Sequence, residues 1–247
     1  MDMTTETIEK IRELSLEAAG KKVQEIDGWN YAINGEGDLS PIVPRDLASK
    51  TIELRTLTGL IDLVKNMRER KETRLFVRVE SPTEVNVFTE LDLYGRREWL
   101  IESNASIPDT TYGYFMDAEE MNIMLQSQFA QSPDRDIILK VIGNLKEENV
   151  RKANDDGVSQ SVTVQAGIAN VAEVKVPNPV ELIPYRTFLE VEQPTSKFIF
   201  RMRKGMQGAI FGADGGAWKS TAMKLIKEYL EDKFREEIES GHIVVVA

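Results

Sequence analysis

Two runs in the first half of the chain limit the fold more than any other feature: "RLFVRVE" (74–80) and "EVNVFTEL" (84–91), separated only by "SPT". Each alternates apolar and polar residues with period two and is rich in β-branched and aromatic side chains, the pattern of a strand with one buried face. The short, proline-bearing connection makes the two a hairpin, and so plants an antiparallel sheet early in the chain. "REWLIESN" (97–104) continues as a third strand.

Around this hairpin the period changes twice. Residues 4–19 predict a helix, with Thr4 or Thr5 as cap, Ile8, Ile11, Leu14 and Leu16 on one face, and Gly20 closing it. The stretch 27–46, full of Gly, Asn, Asp and Pro, reads as loop. "TIELRTL" predicts a strand and "TGLIDLVKNMRER" an amphipathic helix carrying Leu60, Ile61, Leu63, Val64 and Met67. Two helices fill the middle. The first has Asp117 at its N-cap, Glu120 three residues on, and a stripe of Met121, Met124, Leu125 and Phe129; the second begins near Pro133 and is expected to reach about residue 152. Strands return with "SQSVTVQAG", "AEVKVP", "VELIPYRTFLEVE", "KFIFRMRK" and "MQGAIFG", before a helix over about 217–239 and the short strand "HIVVVA" (242–247). The predicted class is α+β: a mixed, largely antiparallel sheet with an N-terminal helix, a central helix pair, and a long C-terminal helix followed by a short strand. The 247 residues are expected to form one domain, 1–247, with its weakest seam near 152–158.

Composition removes several chemistries. The chain has no cysteine and one histidine, His242, so thiolate nucleophiles, cysteine metal sites and any site with two histidines are excluded. A formal net charge of -10 argues against a protein that coats nucleic acid. No apolar run approaches the roughly 20 residues of a membrane span, and "MDMTTETIEK" does not resemble a signal peptide, so a cytosolic protein without a membrane partner is expected.

"GADGGAWKST" (212–221) looks at first like a phosphate-binding loop. That loop requires glycine immediately before its lysine, so that the backbone can curl around phosphate; here Trp218 precedes Lys219. Only one helix and a short strand follow, which leaves no room for a later metal-holding aspartate. The segment reads instead as a strand-to-helix corner, with Asp214 expected to cap the helix. Beside it, Arg201, Arg203 and Lys204 precede Gly205 and Gly208, and Lys219 follows. With Trp218 available for stacking, these residues form the candidate site for a small anionic ligand, against the plainer reading of a solvated hairpin end.

A second candidate is metal-dependent nuclease chemistry. Asp156 followed by Glu173 and Lys175 on a predicted strand supplies carboxylates for Mg²⁺ and a lysine to orient water. Glu-x-Lys recurs at 69–71 and 231–233, where a helix surface accounts for it, so the motif is weak. No resident cofactor or metal is expected. His242 reads as a helix-end charge rather than a catalytic base, because no G-x-S-x-G elbow exists.

Taken together, "IELRTLTGLIDLVK", "VESPTEVNVF", "DDGVSQSVTVQAGIA", "VPNPVELIPYRTFLEVEQPTSKFIFRM" and "GADGGAWKSTAMKLIKEYL" resemble an uncharacterised family of temperate-phage and prophage proteins, chiefly of Gram-positive bacteria, over residues from about 50 to 235. The resemblance implies an early or accessory gene product working in the host cytoplasm and carries no catalytic residues with it. Two functions fit such a product. One is a non-enzymatic, homo-oligomeric binding protein that sequesters a nucleotide-type signal in counter-defence. The other is an accessory of phage DNA replication or recombination, with nuclease chemistry at Asp156, Glu173 and Lys175. The acidic charge favours the first. Homo-oligomerisation is expected from "HIVVVA", an apolar strand that must pair with some sheet edge, and from the adaptable Met-bearing helix at 117–130.

Overall fold

A computed structural model describes all residues except 1–4, 21–22, 34–36, 44–46, 69–71, 144–153, 156–159, 166–170 and 204–205. The chain is α+β. It divides into two compact units, residues 1–47 and 48–247.

The first unit holds helix α1 (Thr5–Gly20) and a small antiparallel sheet, β1 (Val23–Ile26), β2 (Trp29–Ile33) and β3 (Leu39–Pro41). The stretch expected to be loop is thus partly a meander. Asp27 and Gly28 both take positive φ, 51° and 79°, the geometry of a two-residue hairpin turn, and Asp-Gly is its favoured sequence. Strands this short leave too few alternations to reveal their period.

The second unit has two cores. In the first, β4 (Ile52–Leu54), β5 (Leu75–Ser81), β6 (Glu84–Thr89), β7 (Trp99–Asn104) and β14 (Ile243–Val246) form a five-stranded sheet ordered β14-β5-β6-β7-β4. β5 and β6 are the predicted antiparallel hairpin, in register from Leu75↔Thr89 to Val79↔Val85. Their inward Val77, Val79, Val85 and Val87 pack on Leu57, Leu60, Ile61 and Val64 of α2 (Leu57–Asn66) and on Ile226 and Leu230 of α5 (Trp218–Lys233). The long C-terminal helix breaks at buried Phe234, after which α6 (Arg235–Glu239) leads to β14. β14 pairs in parallel with β5 of its own chain, from Ile243↔Leu75 to Val246↔Arg78. The C-terminal run is therefore satisfied without exchange between subunits.

In the second core, α3 (Ala118–Gln128) and α4 (Pro133–Gly143) pack against the antiparallel sheet β11 (Val180–Leu182), β12 (Ser196–Arg203) and β13 (Gln207–Gly212). α3 begins with the predicted capping box: Asp117 accepts from Glu120 N, and the Glu120 carboxylate accepts from Asp117 N. Met121 and Met124 point into this core, 0% and 7% exposed, so the Met-bearing helix does not offer them as a docking surface. β8 (Asn154–Asp155), β9 (Gln160–Gln165) and β10 (Val171–Val176) make a further antiparallel sheet, and the expected seam falls largely outside the described residues.

"VELIPYRTFLEVE" was expected as one strand, yet only Val180–Leu182 is extended in a sheet. The remainder is a loop closed by one buried side chain. Gln193 Oε1 accepts from Arg186 N at 3.0 Å and Thr187 N at 3.3 Å, while its Nε2 donates to Phe188 O at 3.0 Å. The Thr187 hydroxyl donates to Pro82 O, fastening the loop to the β5–β6 turn.

Candidate functional site

That loop places Arg186 between the two cores, with Phe188 buried in one and Phe198 in the other. The Arg186 guanidinium lies 3.9 Å from the centre of the Trp218 ring and 5.8 Å from that of Phe198. Its Nη2 donates to the Ser196 hydroxyl and stands 3.8 Å from Asp214 Oδ2. Arg186 Nε is buried without a hydrogen-bond partner, an omission that native structures rarely tolerate without a reason.

The corner "GADGGAWKST" builds the opposite wall. Asp214 Oδ1 accepts from Gly216 N at 3.0 Å, closing a tight turn in which Gly215 and Gly216 take φ of 61° and 83°. L side chains pay strain there, which is why two glycines stand at this point. Asp214 is therefore not the helix cap: α5 starts from Ala217, which has no side-chain cap hydrogen bond. The turn has moved the carboxylate back to hold its own loop and to face Arg186.

A third side comes from the segment before α3. Gly113 N donates to Ile210 O, and Met116 exchanges two backbone hydrogen bonds with Gly208, so the segment runs along β13. It brings Ile107, Asp109 and Tyr112 to the rim, with the Tyr112 ring 5.3 Å from Phe198. The result is a half-open cleft of about 500 Å³ whose walls meet at Arg186, Asp214 and Trp218.

Electrostatics tie the three sides together. Burial depresses the Arg186 guanidinium, and the neighbouring Tyr112 and Asp214 work to restore it. Burial also raises the Asp214 carboxyl, but the Ser196 hydroxyl, the Gly216 amide and the Arg186 charge outweigh that and hold it below its ordinary value. The Tyr112 phenol is raised by burial. Asp214 remains a carboxylate and Arg186 a cation, so the cleft offers a neutralised pair, one further carboxylate at Asp109, and apolar walls.

Of the residues expected to bind a ligand, only Trp218 lines this cleft. Phe198 pairs with Gly212 beside the corner, whereas Arg203 pairs with Gln207 next to the hairpin tip. At about 3.3 Å per residue, that separation along β12 is about 17 Å. Arg203 instead bonds Gln207 at 2.7 Å and lies over the Phe115 ring at 4.3 Å. Arg201 bonds Phe200 O, between the inward Phe200 and Met202. Lys219 is exposed on α5, and Lys204 lies outside the described residues. The four that are described do not converge, because a strand of this length puts its two ends far apart. Of the nuclease residues, Glu173 and Lys175 sit on β10 opposite Thr163 and Ser161, and Asp156 lies outside the described residues. Among the described residues no group of three or more His, Asp or Glu stands together as a metal site.

Arg186 was missed because the sequence shows it only as one cation in a proline-flanked apolar run. The usable signal was that run itself: a charged side chain between Tyr185 and Phe188 has to find a partner if the run is buried. Compared with known proteins, the chain matches no family model, no curated protein and no solved structure at a significant level. Among the described residues no helix is long and apolar enough to cross a membrane.

Proposed function

We propose that this chain is a non-enzymatic binding protein whose cleft takes a small ligand with a flat ring and an anionic end, of the nucleotide class. The observation that carries the reading is the Arg186 guanidinium stacked over Trp218 on the wall of a cleft that opens beside the start of α5. A flat ring extends such a stack, since guanidinium and indole planes both accept a base. An anionic group then falls at the first turn of α5, where no side chain caps the helix and the backbone dipole favours negative charge, with Lys219 on the same turn. The Arg186–Asp214 pair leaves the floor without free positive charge, so the ring enters first and the charge stays at the first turn of α5, away from Asp109.

With the family resemblance, this makes the protein a phage product acting in the host cytoplasm as a homo-oligomer that sequesters a nucleotide-type signal in counter-defence. Calorimetry with a panel of mononucleotides and cyclic dinucleotides tests it. Binding at least about tenfold weaker in Arg186→Ala and Trp218→Ala is the expected result, equivalent to about 1.4 kcal/mol. No binding to any of the panel, or binding unchanged in both variants, overturns it. Mg²⁺-dependent DNA cleavage lost in Glu173→Ala would transfer the assignment to a replication or recombination accessory.

A further inference from the structure

We propose that the open face of the five-stranded sheet docks a second copy of this chain, face to face, about a two-fold axis running across the strands. The proposal rests on the homo-oligomeric part of the reading above and names its surface.

The helices α2 and α5 pack on the side of the sheet that carries Val77, Val85 and Ile101. The other side is ordered in rows by the strand register. Val244, Phe76, Phe88 and Trp99 stand opposite one another across four strands. Phe76 and Phe88 stack at 5.6 Å, Phe88 and Trp99 approach to 4.8 Å, and Trp99 is 43% exposed. Two arginines lie over this row: Arg97 within 5.5 Å of both phenylalanine rings, and Arg78 within 5.6 Å of Phe88 and Trp99.

Further along the strands the face becomes acidic. Arg78, Asn86 and Glu102 form the next row, and Glu84 stands opposite Asn104 in the one after. Asn86 donates to Glu84 at 2.9 Å and Asn104 to Glu102 at 2.7 Å, so the carboxylates are held in place. One end of the face is thus aromatic and cationic and the other anionic.

A flat row of aromatics under arginines also fits single-stranded nucleic acid. The charges decide between the two occupants. Glu53, Glu80, Glu84 and Glu102 outnumber Arg78 and Arg97 on the face, and Arg78 is already paired with Glu80; this repels a polyanion but complements a face of the same kind turned end for end. A two-fold axis across the strands does this turning: it sets Arg97 of one copy over the Glu84–Asn104 row of the other, twice, and each aromatic row over the Arg78–Asn86–Glu102 row between them, as an isologous contact requires. Three strands of about 20 Å and two of about 10–13 Å, about 4.8 Å apart, cover about 400 Å² per partner, below the usual size of a specific interface, so the dimer is weak and concentration-dependent.

Sedimentation equilibrium of the full chain over a wide concentration range tests this. A reversible dimer is expected, weakened at least about tenfold by Trp99→Ala, by Arg97→Glu and by Glu84→Arg, and by raised salt. The double variant Arg97→Glu, Glu84→Arg is expected to recover the dimer, which a variant that had merely lost its fold cannot do. A chain monomeric at every concentration overturns both the face and the oligomeric reading. A dimer indifferent to the charge swaps overturns the face alone. Oligonucleotide binding abolished by Trp99→Ala, without a dimer, gives the face to nucleic acid and overturns the proposal. Nucleotide calorimetry is independent of all three results.

Discussion

Arg186 is held by three forces of different range: contact with the Trp218 ring, a hydrogen bond to Ser196, and the charge of Asp214. Removing it in Arg186→Ala strips the cover from Trp218 and leaves Asp214 facing an empty wall. The expected loss, read by urea unfolding, is about 2–3 kcal/mol, below the roughly 3–5 kcal/mol of a fully buried pair because Asp214 keeps the Gly216 amide. Asp214 also sets a pH dependence. Its pKa is lower folded than unfolded, so its contribution is complete above the ordinary carboxylate pKa and is lost as pH falls through the lower folded value. Asp214→Asn should therefore be less stable than the parent near neutral pH by about 1 kcal/mol and should converge with it in strong acid. A constant difference at all pH values would show that the carboxylate charge contributes nothing.

At the scale of elements, the second core depends on a close approach. A Cβ on Gly208 would collide with Met121 Sδ, and Met121 is completely buried where α3 packs on β13. Gly208→Ala should cost about 1–3 kcal/mol, and thermal unfolding checks it; a double variant Gly208→Ala, Met121→Ala that loses less than the sum of the two single losses would identify the clash as the cause. At the start of α3, Asp117→Ala removes one half of the capping box and should cost about 1 kcal/mol. The loop that carries Arg186 has no regular structure of its own and relies on Gln193. Gln193→Ala should loosen it enough to weaken any ligand of the cleft as well as the fold, with proteolysis between Leu182 and Ser196 as the readout.

Across the whole molecule, nothing in the described arrangement of the corner at 212–221 supports phosphate transfer. Trp218 occupies the place a phosphate loop gives to glycine, and its ring is covered by Arg186. Purified protein is expected to release no phosphate from ATP or GTP above background, and hydrolysis that vanished in Lys219→Ala would reverse this. The acidic charge of the chain and the neutralised Arg186–Asp214 pair suit the ligand proposed above, held by its ring and only steered by its charge.

Local pattern alone determined a good deal here. The β5–β6 hairpin, α2, the capped start of α3, Pro133 opening α4 and the strand at the C-terminus all follow from periodicity and capping, because those forces act over a few residues. The parallel seat of β14 beside β5 does not, since strand partners are chosen by long-range packing that no window of sequence contains. The candidate site failed to be legible for the same reason. Arg201, Arg203, Trp218 and Lys219 are neighbours in sequence, but an extended strand carries the first two away from the corner, while Arg186 and Tyr112 arrive there from distant loops. Only the tertiary structure decides which cation meets Trp218, because that meeting is enforced by two cores closing on the same loop.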